Sequence, residues 1–375
     1  MTSVKMFSAE LDSNHVKFLV NTIIPTDLGE GFLDGVISGV HRVRPSSIKR
    51  DASSSSIGIF NRLPIELFWD ILGHLDFRSL SRFSQVSLAA HKAIVALPQF
   101  HEMMTHAPDV LTALSKTYLI TCHSSSLIRK VLYSQTCVSC LCTFGGFLFL
   151  PTCERVCFEC LRANPMLQVS VPGPIKDAFG IDINEMCSNV RGMTAIPGLY
   201  FVEDGPVREA SGPLALYSIR HVKEAIKKGR ISPISPPNHY NLMYEAFHNA
   251  PFEPPGRDLS RDPKPPPLPP LTVHVRWPPC LLNEYAGMGS IRFPSLTSTD
   301  VVERGQLCVG CWLTYYSHNK DALPPDVEAS LVPVGADVSR VMFADAARLR
   351  TASEQREHAK TCYGIGLIER YKHSW

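Results

Sequence analysis

The sequence predicts an α+β protein: a three-helix N-terminal module and a helical spacer, then a small, irregular α+β region stapled by zinc. Three observations carry this reading. Apolar residues recur at helical spacing from residue 60 to about residue 135. Two Cys-x2-Cys pairs follow within residues 137–160. Beyond them the pattern becomes irregular, with strand-like runs such as "GLYFV" and "ALYSI".

Length and composition bound the possibilities. A chain of 375 residues with 45% apolar content can build two or three domains, or one large core with attachments. The formal net charge is +2, and no run of Lys or Arg stands out. That argues against nucleic acid as the principal partner. No basic segment feeds a long apolar one near the start, so no secretory signal is expected. No window approaches the roughly 18 continuous apolar residues of a membrane span. A cytoplasmic or nuclear location is therefore the default. Thiols stay reduced there, so clustered cysteines point to metal or catalysis rather than disulfides.

The elements follow in order. Residues 1–58 are expected to be a flexible leader, since "PSSIKRDASSSSIG" is Ser-rich and breaks any apolar pattern. Residues 60–104 hold the helical module. In "LPIELFWDILGHL", Leu63, Leu67, Ile71, Leu72 and Leu75 fall on one helical face. Pro64 suits the first turn, where its missing N–H costs nothing, and Glu66 suits the positive helix end. Leu80, Phe83 and Val86 form a second apolar set, and "AAHKAIVAL" reads as a short helix stopping at Pro98.

Residues 105–135 are a helical spacer, carried by "PDVLTALSKTYLIT" and "SSLIRKVLYS". Residues 136–250 form the Cys-rich α+β region. In it "GGFLFL" reads as a strand or hairpin whose tight turn Gly145 and Gly146 allow, and "RHVKEAIKKG" as a helix stopped at Gly229. Residues 251–279 are a Pro-rich linker or loop. Residues 280–375 include a long C-terminal helix from about Val338 onward.

The cysteine spacing is the sharpest chemical signal. Cys137-x2-Cys140 is followed, after sixteen residues, by Cys157-x2-Cys160. A CxxC turn aims two thiolates at one point, and two such turns close a tetrahedral zinc site. Cys142 and Cys153 are surplus, and either could replace a neighbour as ligand. A catalytic dithiol is disfavoured, because no βαβ pattern surrounds either pair. A second constellation is Cys308, Cys311, His358 and Cys362, from "CVGC" and "EHAKTC". His358 and Cys362 are four residues apart, on one helix face. His318 competes with His358 for the third position. Both sites would be structural. Cys187 and Cys280 are given no ligand role and are expected in the core.

The stretch "LPIELFWDILGHLDFRSLSRFSQVS" resembles an F-box. Leu63, Pro64, Glu66, Leu67, Ile71, Leu72, Leu75, Leu80, Val86 and Ser87 match that pattern. The chain departs after Ser87, where "LAAHK" replaces a basic and aromatic pair. The wider layout, with "LPTCERVCFECLRANP", "IRFPSL", "LCVGC" and "EHAKTC", is similar to a group of fungal F-box proteins. The resemblance implies that the F-box residues from Leu63 to Val86 dock on the Skp-type adaptor of a cullin–RING (SCF) ubiquitin ligase. The rest would recruit a protein substrate. No catalytic residue is then expected, and the sequence shows no Gly-rich phosphate loop, nucleophile elbow or HExxH. The alternative is a zinc-dependent nucleic-acid-binding protein. It is disfavoured because only Arg129, Lys130, Arg155 and Arg162 supply positive charge around the main cysteine block.

Overall fold

The computed structural model describes residues 32–37, 55–200, 208–234, 285–297, 301–333 and 335–371. The Pro-rich stretch 251–279 and Cys280 lie outside them, as does most of the expected leader. The architecture is α+β, with many short helices and small antiparallel sheets. Two compact units are distinguished, within residues 29–302 and within 303–375. Among the described residues no helix is long and apolar enough to cross a membrane.

The first unit opens with a short helix, α1 (Leu33–Ile37), inside the stretch expected as leader. Its anchors are apolar: Phe32, Leu33 and Ile37 are buried, and the Phe32 ring sits 4.7 Å from that of Phe147. Burial of three large side chains fixes this segment despite its Ser-rich surroundings.

A 3-10 turn, Gly58–Arg62, leads into α2 (Ile65–Gly73), α3 (Phe77–Ser84) and α4 (Leu88–Ala96). Pro64 is the residue before α2 rather than a member of its first turn, and its carbonyl accepts from Phe68 N at 3.1 Å. Asp76 and Ser87 cap α3 and α4 by accepting from Ser79 N and Ala90 N. The core of this module is a Phe60, Phe68 and Phe83 trio with ring centroids 5.6–6.2 Å apart, joined by Leu72, Leu80 and Ile94.

Helices α5 (Pro98–His106), α6 (Pro108–Lys116) and α7 (Ser125–Tyr133) form the spacer. Pro98 ends one helix by starting the next, at a position where a missing N–H is harmless. Helix α7 braces the module. Ser125 Oγ donates to the Gly73 carbonyl at 3.1 Å, Ser125 N donates to the Leu75 carbonyl, and Arg129 forks onto Glu102 of α5 at 2.8 and 2.9 Å.

Strands β1 (Phe147–Phe149) and β2 (Glu154–Val156) form an antiparallel hairpin that leads to α8 (Phe158–Ala163). The expected turn at Gly145–Gly146 is displaced. The chain reverses at residues 150–153, with Cys153 in the left-handed region at φ 54°. Gly145 serves close approach instead: a Cβ there would overlap the Arg155 side chain.

Then come β3 (Val169–Ser170), α9 (Pro172–Phe179), α10 (Ile183–Asn189), β4 (Met193–Thr194), β5 (Gly198–Tyr200), β6 (Arg208–Ala210), β7 (Ala215–Ser218) and α11 (Ile219–Lys227). Strand β7 pairs with both β3 and β4, and β5 pairs with β6, all antiparallel. Gly229, at φ 66°, stops the chain after α11 as expected from the sequence. Ile175, Phe179, Met186, Ile219 and Val222 pack the three helices α9, α10 and α11 together. After α12 (Ala286–Gly289), β8 (Ser290–Arg292) adds to β1, giving the order β2-β1-β8.

The second unit holds α13 (Val309–Asn319), α14 (Pro325–Leu331), α15 (Val338–Ala347), α16 (Ala352–Ala359) and α17 (Tyr363–Tyr371). The expected long helix from Val338 is thus three helices. Arg350 exchanges two backbone hydrogen bonds with Gln306, at 2.7 and 3.0 Å, which holds residues 348–350 extended. Thr351 and Glu354 then restart the helix with a reciprocal capping box.

Candidate functional site

In the helical module the structure separates core from surface. Phe68, Leu72 and Leu80 are buried, and Leu75 is half-buried. Leu63, Leu67, Ile71 and Val86 are exposed, Leu67 at 55% and Val86 at 73%. Pro64 and Glu66 are exposed too. Leu67 and Ile71 are four apart on α2, so they share one face. Exposed Ile59 and Ile65 belong to the same region of sequence. These large apolar side chains on a short helix are left in water and are no part of the core.

The first cysteine group is built from two local devices. Cys137 and Cys140 sit on a turn closed by Leu141 N donating to the Cys137 carbonyl at 2.9 Å, with Leu141 at φ 60°. Cys157 is the N-cap of α8, its Sγ accepting from Cys160 N at 3.4 Å. The hairpin β1–β2 lies between the two turns. The four Sγ atoms lie within 4.8 Å of one another, and Cys140 Sγ is 3.9 Å from Cys157 Sγ. The Thr143 hydroxyl stands 3.2 Å from Cys140 Sγ.

The second group repeats this plan. Cys308 is the N-cap of α13 and Cys311 lies in its first turn, while His358 lies in the last turn of α16 and Cys362 precedes α17. Cys362 N donates to the His358 carbonyl at 3.0 Å, so the helical spacing of the pair persists across the junction. Cys308 and Cys362 sulfurs are 3.6 Å apart, Cys311 and Cys362 sulfurs 3.9 Å, and Cys311 Sγ is 3.1 Å from His358 Nε2. The buried Arg350 guanidinium reaches to 4.0 Å of Cys311 Sγ and supplies positive charge there.

These separations decide between chemistries. A tetrahedral ion with metal–sulfur bonds of about 2.3 Å sets its sulfurs about 3.8 Å apart, whereas a disulfide sets them about 2.05 Å apart. Both groups meet the geometric requirement of a four-ligand metal site. Their electrostatics ask for a cation. Hydrogen bonding from Cys137 holds the Cys140 thiol far below its ordinary range, and the same neighbour pushes Cys160 far above it. Cys308 is likewise driven down, and Cys311 up, by each other's hydrogen bond. Four thiols so close cannot all ionise unless a positive ion offsets their repulsion.

The competing ligands fall outside both groups. Cys142 is exposed, and Cys153 is buried with its thiol pushed up to about 12 by desolvation. His318 Nδ1 is 3.0 Å from Glu328 Oε2 and is engaged there.

The roles of two arginines could not be read from the sequence because their partners are distant carbonyls and sulfurs. Arg350 is one. Arg155 is the other: it is fully buried and donates to the carbonyls of Val131, Gly145, Phe293 and Pro294. Burial lowers its pKa to about 9, which leaves it charged at neutral pH. Arg155 is therefore closed to phosphate, and Arg129 is occupied by Glu102. At least half of the positive charge counted around the first cysteine block is thus engaged within the protein, and Arg162 lies over the Phe158 ring at 5.6 Å.

No curated protein and no solved structure matches the chain. The family model of the F-box domain matches residues 60–98, the stretch whose helices α2 to α4 display the exposed Leu63, Leu67, Ile71 and Val86. The chain therefore carries an F-box domain at residues 60–98.

Proposed function

We propose that this F-box protein is the substrate-recruiting subunit of an SCF-type ubiquitin ligase. The observation that carries the reading is the F-box match together with the exposed apolar side chains it displays. Leu63, Pro64, Glu66, Leu67, Ile71 and Val86 would meet the Skp-type adaptor. Leu72 and Leu80, which lie in the core, would support that face, as would the half-buried Leu75. The region after residue 136 would hold the protein substrate. The chain would perform no chemistry of its own. It would supply proximity and orientation to the charged conjugating enzyme brought by the cullin–RING partner, and such positioning accounts for large rate effects. Its place of action would be the cytoplasm or nucleus.

Zinc is the ion that both ligand groups favour. A set of four thiolates, or of three thiolates and one imidazole, with S···S separations near 3.8 Å suits a borderline-soft, tetrahedral ion. Four protein ligands leave no position for substrate, so each ion would staple the fold. As part of this reading, residues 60–104, 105–135, 136–250 and 280–375 would be the functional divisions of the chain, with β8 of the last stretch added to the β1–β2 sheet.

The test is co-purification of the full chain with a Skp-type adaptor. Wild type should co-elute with the adaptor. Replacing Leu63 and Pro64 together by Ala should abolish co-elution while zinc content stays unchanged. Retention of the adaptor by that variant would overturn the proposal.

A further inference from the structure

Arg350 stands between α15 and α16, and its charge meets no carboxylate among the described residues. The residue is 4% exposed. Its Nη1 donates to the carbonyls of Asp345 and Arg348, at 3.3 and 3.1 Å, both neutral acceptors. Its Nη2 is directed at Cys311 Sγ, 4.0 Å away. Two acids at the same junction are spent on the backbone. Glu303 accepts from the N–H groups of Gly305 and Ala352, and Glu354 from that of Thr351.

A buried cation is costly unless an anion answers it. The anions at hand are the sulfurs of the second ligand group. With Cys308, Cys311 and Cys362 as thiolates and His358 neutral, a bound dication is left with one excess negative charge. We infer that Arg350 is the counter-charge of the second metal site: it cancels that excess and so raises the affinity of the site for its ion. The inference rests on the zinc reading of this ligand group.

The backbone holds this charge in place. Arg350 exchanges both of its backbone hydrogen bonds with Gln306, two residues before Cys308, so one bridge joins the guanidinium to the turn that carries the thiolates. Thr351, the next residue, caps α16, and α16 carries His358. The extended break at residues 348–350 therefore does more than end a helix: it sets a cation beside the ligands. Cys308 receives a neutral donor too. Beside the larger pulls of Cys311 and Cys362, a hydrogen bond from the Gln355 side chain lowers its thiol. Outer partners of this kind tune metal sites, and losing one typically costs about 10–100-fold in metal affinity.

The experiment compares full chains of wild type, Arg350→Gln and Arg350→Lys, loaded with zinc or with cobalt. His358→Ala serves as the reference that lacks the second site. Competition with a chromophoric chelator reads zinc affinity. Arg350→Gln should weaken binding of the second ion about 10–100-fold and leave the first unchanged. In the cobalt form, the sulfur-to-cobalt charge-transfer band of the second site should move to lower energy, because a sulfur without its positive neighbour gives up an electron more easily. The d–d bands of tetrahedral cobalt should stay. Arg350→Lys should bring both readouts back towards wild type, since an ammonium keeps the charge although it loses the Nη1 contacts. A purely structural role would follow those contacts, and Lys would then fail as Gln does. Circular dichroism and hydrogen exchange report folding, and Arg350→Lys carries the test should Arg350→Gln misfold. Wild-type affinity and band position in folded Arg350→Gln, or a loss of about tenfold or more in folded Arg350→Lys, would overturn the inference and leave the zinc reading standing. A wild-type chain that binds no second ion would overturn both.

Discussion

The backbone of Gly364, at the start of α17, lies directly against the carbonyl of Gly310, in the first turn of α13. A Cβ on either residue would overlap the other's main chain, and one on Gly310 would also stand 2.8 Å from Cys362 Sγ. This approach sets the Cys362 sulfur 3.6 Å from that of Cys308. The two glycines are thus the steric condition for the second ligand group.

Gly364→Ala is therefore expected to push α17 off α13. Overpacking of this kind costs roughly 1–3 kcal/mol. Thermal unfolding should show that loss, and limited proteolysis should show earlier cleavage after residue 347. Gly366, where a Cβ meets nothing within 4 Å, is the control: Gly366→Ala should leave both readouts unchanged.

Metal analysis of the full chain should find two zinc ions. His358→Ala should remove one, because Cys308, Cys311 and Cys362 alone leave the fourth position open. His318→Ala should remove none, since His318 is engaged by Glu328. Cys140→Ser should remove the other ion, while Cys142→Ser should not. Structural zinc sites in small peptides carry apparent binding energies of about 10–16 kcal/mol, so a strong chelator should loosen both units. Finding the same stoichiometry in His358→Ala as in wild type would remove His358 from the ligand set.

Arg155 offers a different test. It ties β2 to the segment after β8 through the Phe293 and Pro294 carbonyls, across more than a hundred residues of chain. Arg155→Met would leave four carbonyls without that donor. At about 1–3 kcal/mol for each buried group left unpaired, the loss should reach several kcal/mol. Arg155→Lys should rescue little, because an ammonium on a flexible stem cannot reproduce a planar fork. Hydrogen exchange over residues 285–297 reads the effect directly.

The sequence exposed what short-range chemistry encodes. CxxC turns and the His358–Cys362 spacing act over a few residues, so the gathering of both Cys/His groups could be read from the order of side chains. Helices α2 to α4 were legible for the same reason. Long-range pairing was not. The break at residues 348–350 depends on Gln306, forty-four residues earlier, and nothing local announces it. The order in residues 32–37 depends on Phe147 and Phe158. Periodicity placed Leu63, Leu67, Ile71 and Leu72 on one face but could not say which of them the Phe60, Phe68 and Phe83 trio would cover.

That division of the F-box apolar residues yields the most discriminating prediction. Leu72 is 2% exposed and Leu67 is 55% exposed, on the same helix. Leu72→Ala should open a cavity and cost about 2–5 kcal/mol, enough to unfold a small three-helix module. Leu67→Asp should change stability by no more than about 0.5 kcal/mol, because an exposed site loses no packing. The adaptor should separate the two. If Leu67 lies in the interface, Leu67→Asp buries an unpaired carboxylate against an apolar partner and should abolish co-elution in a fully folded protein. Ile71→Asp should behave alike, being one helical turn further along that face. Circular dichroism of each variant beside its adaptor pull-down makes the comparison. Loss of the adaptor that merely tracked loss of fold, with Leu67→Asp folded and still bound, would place the docking surface elsewhere on the module.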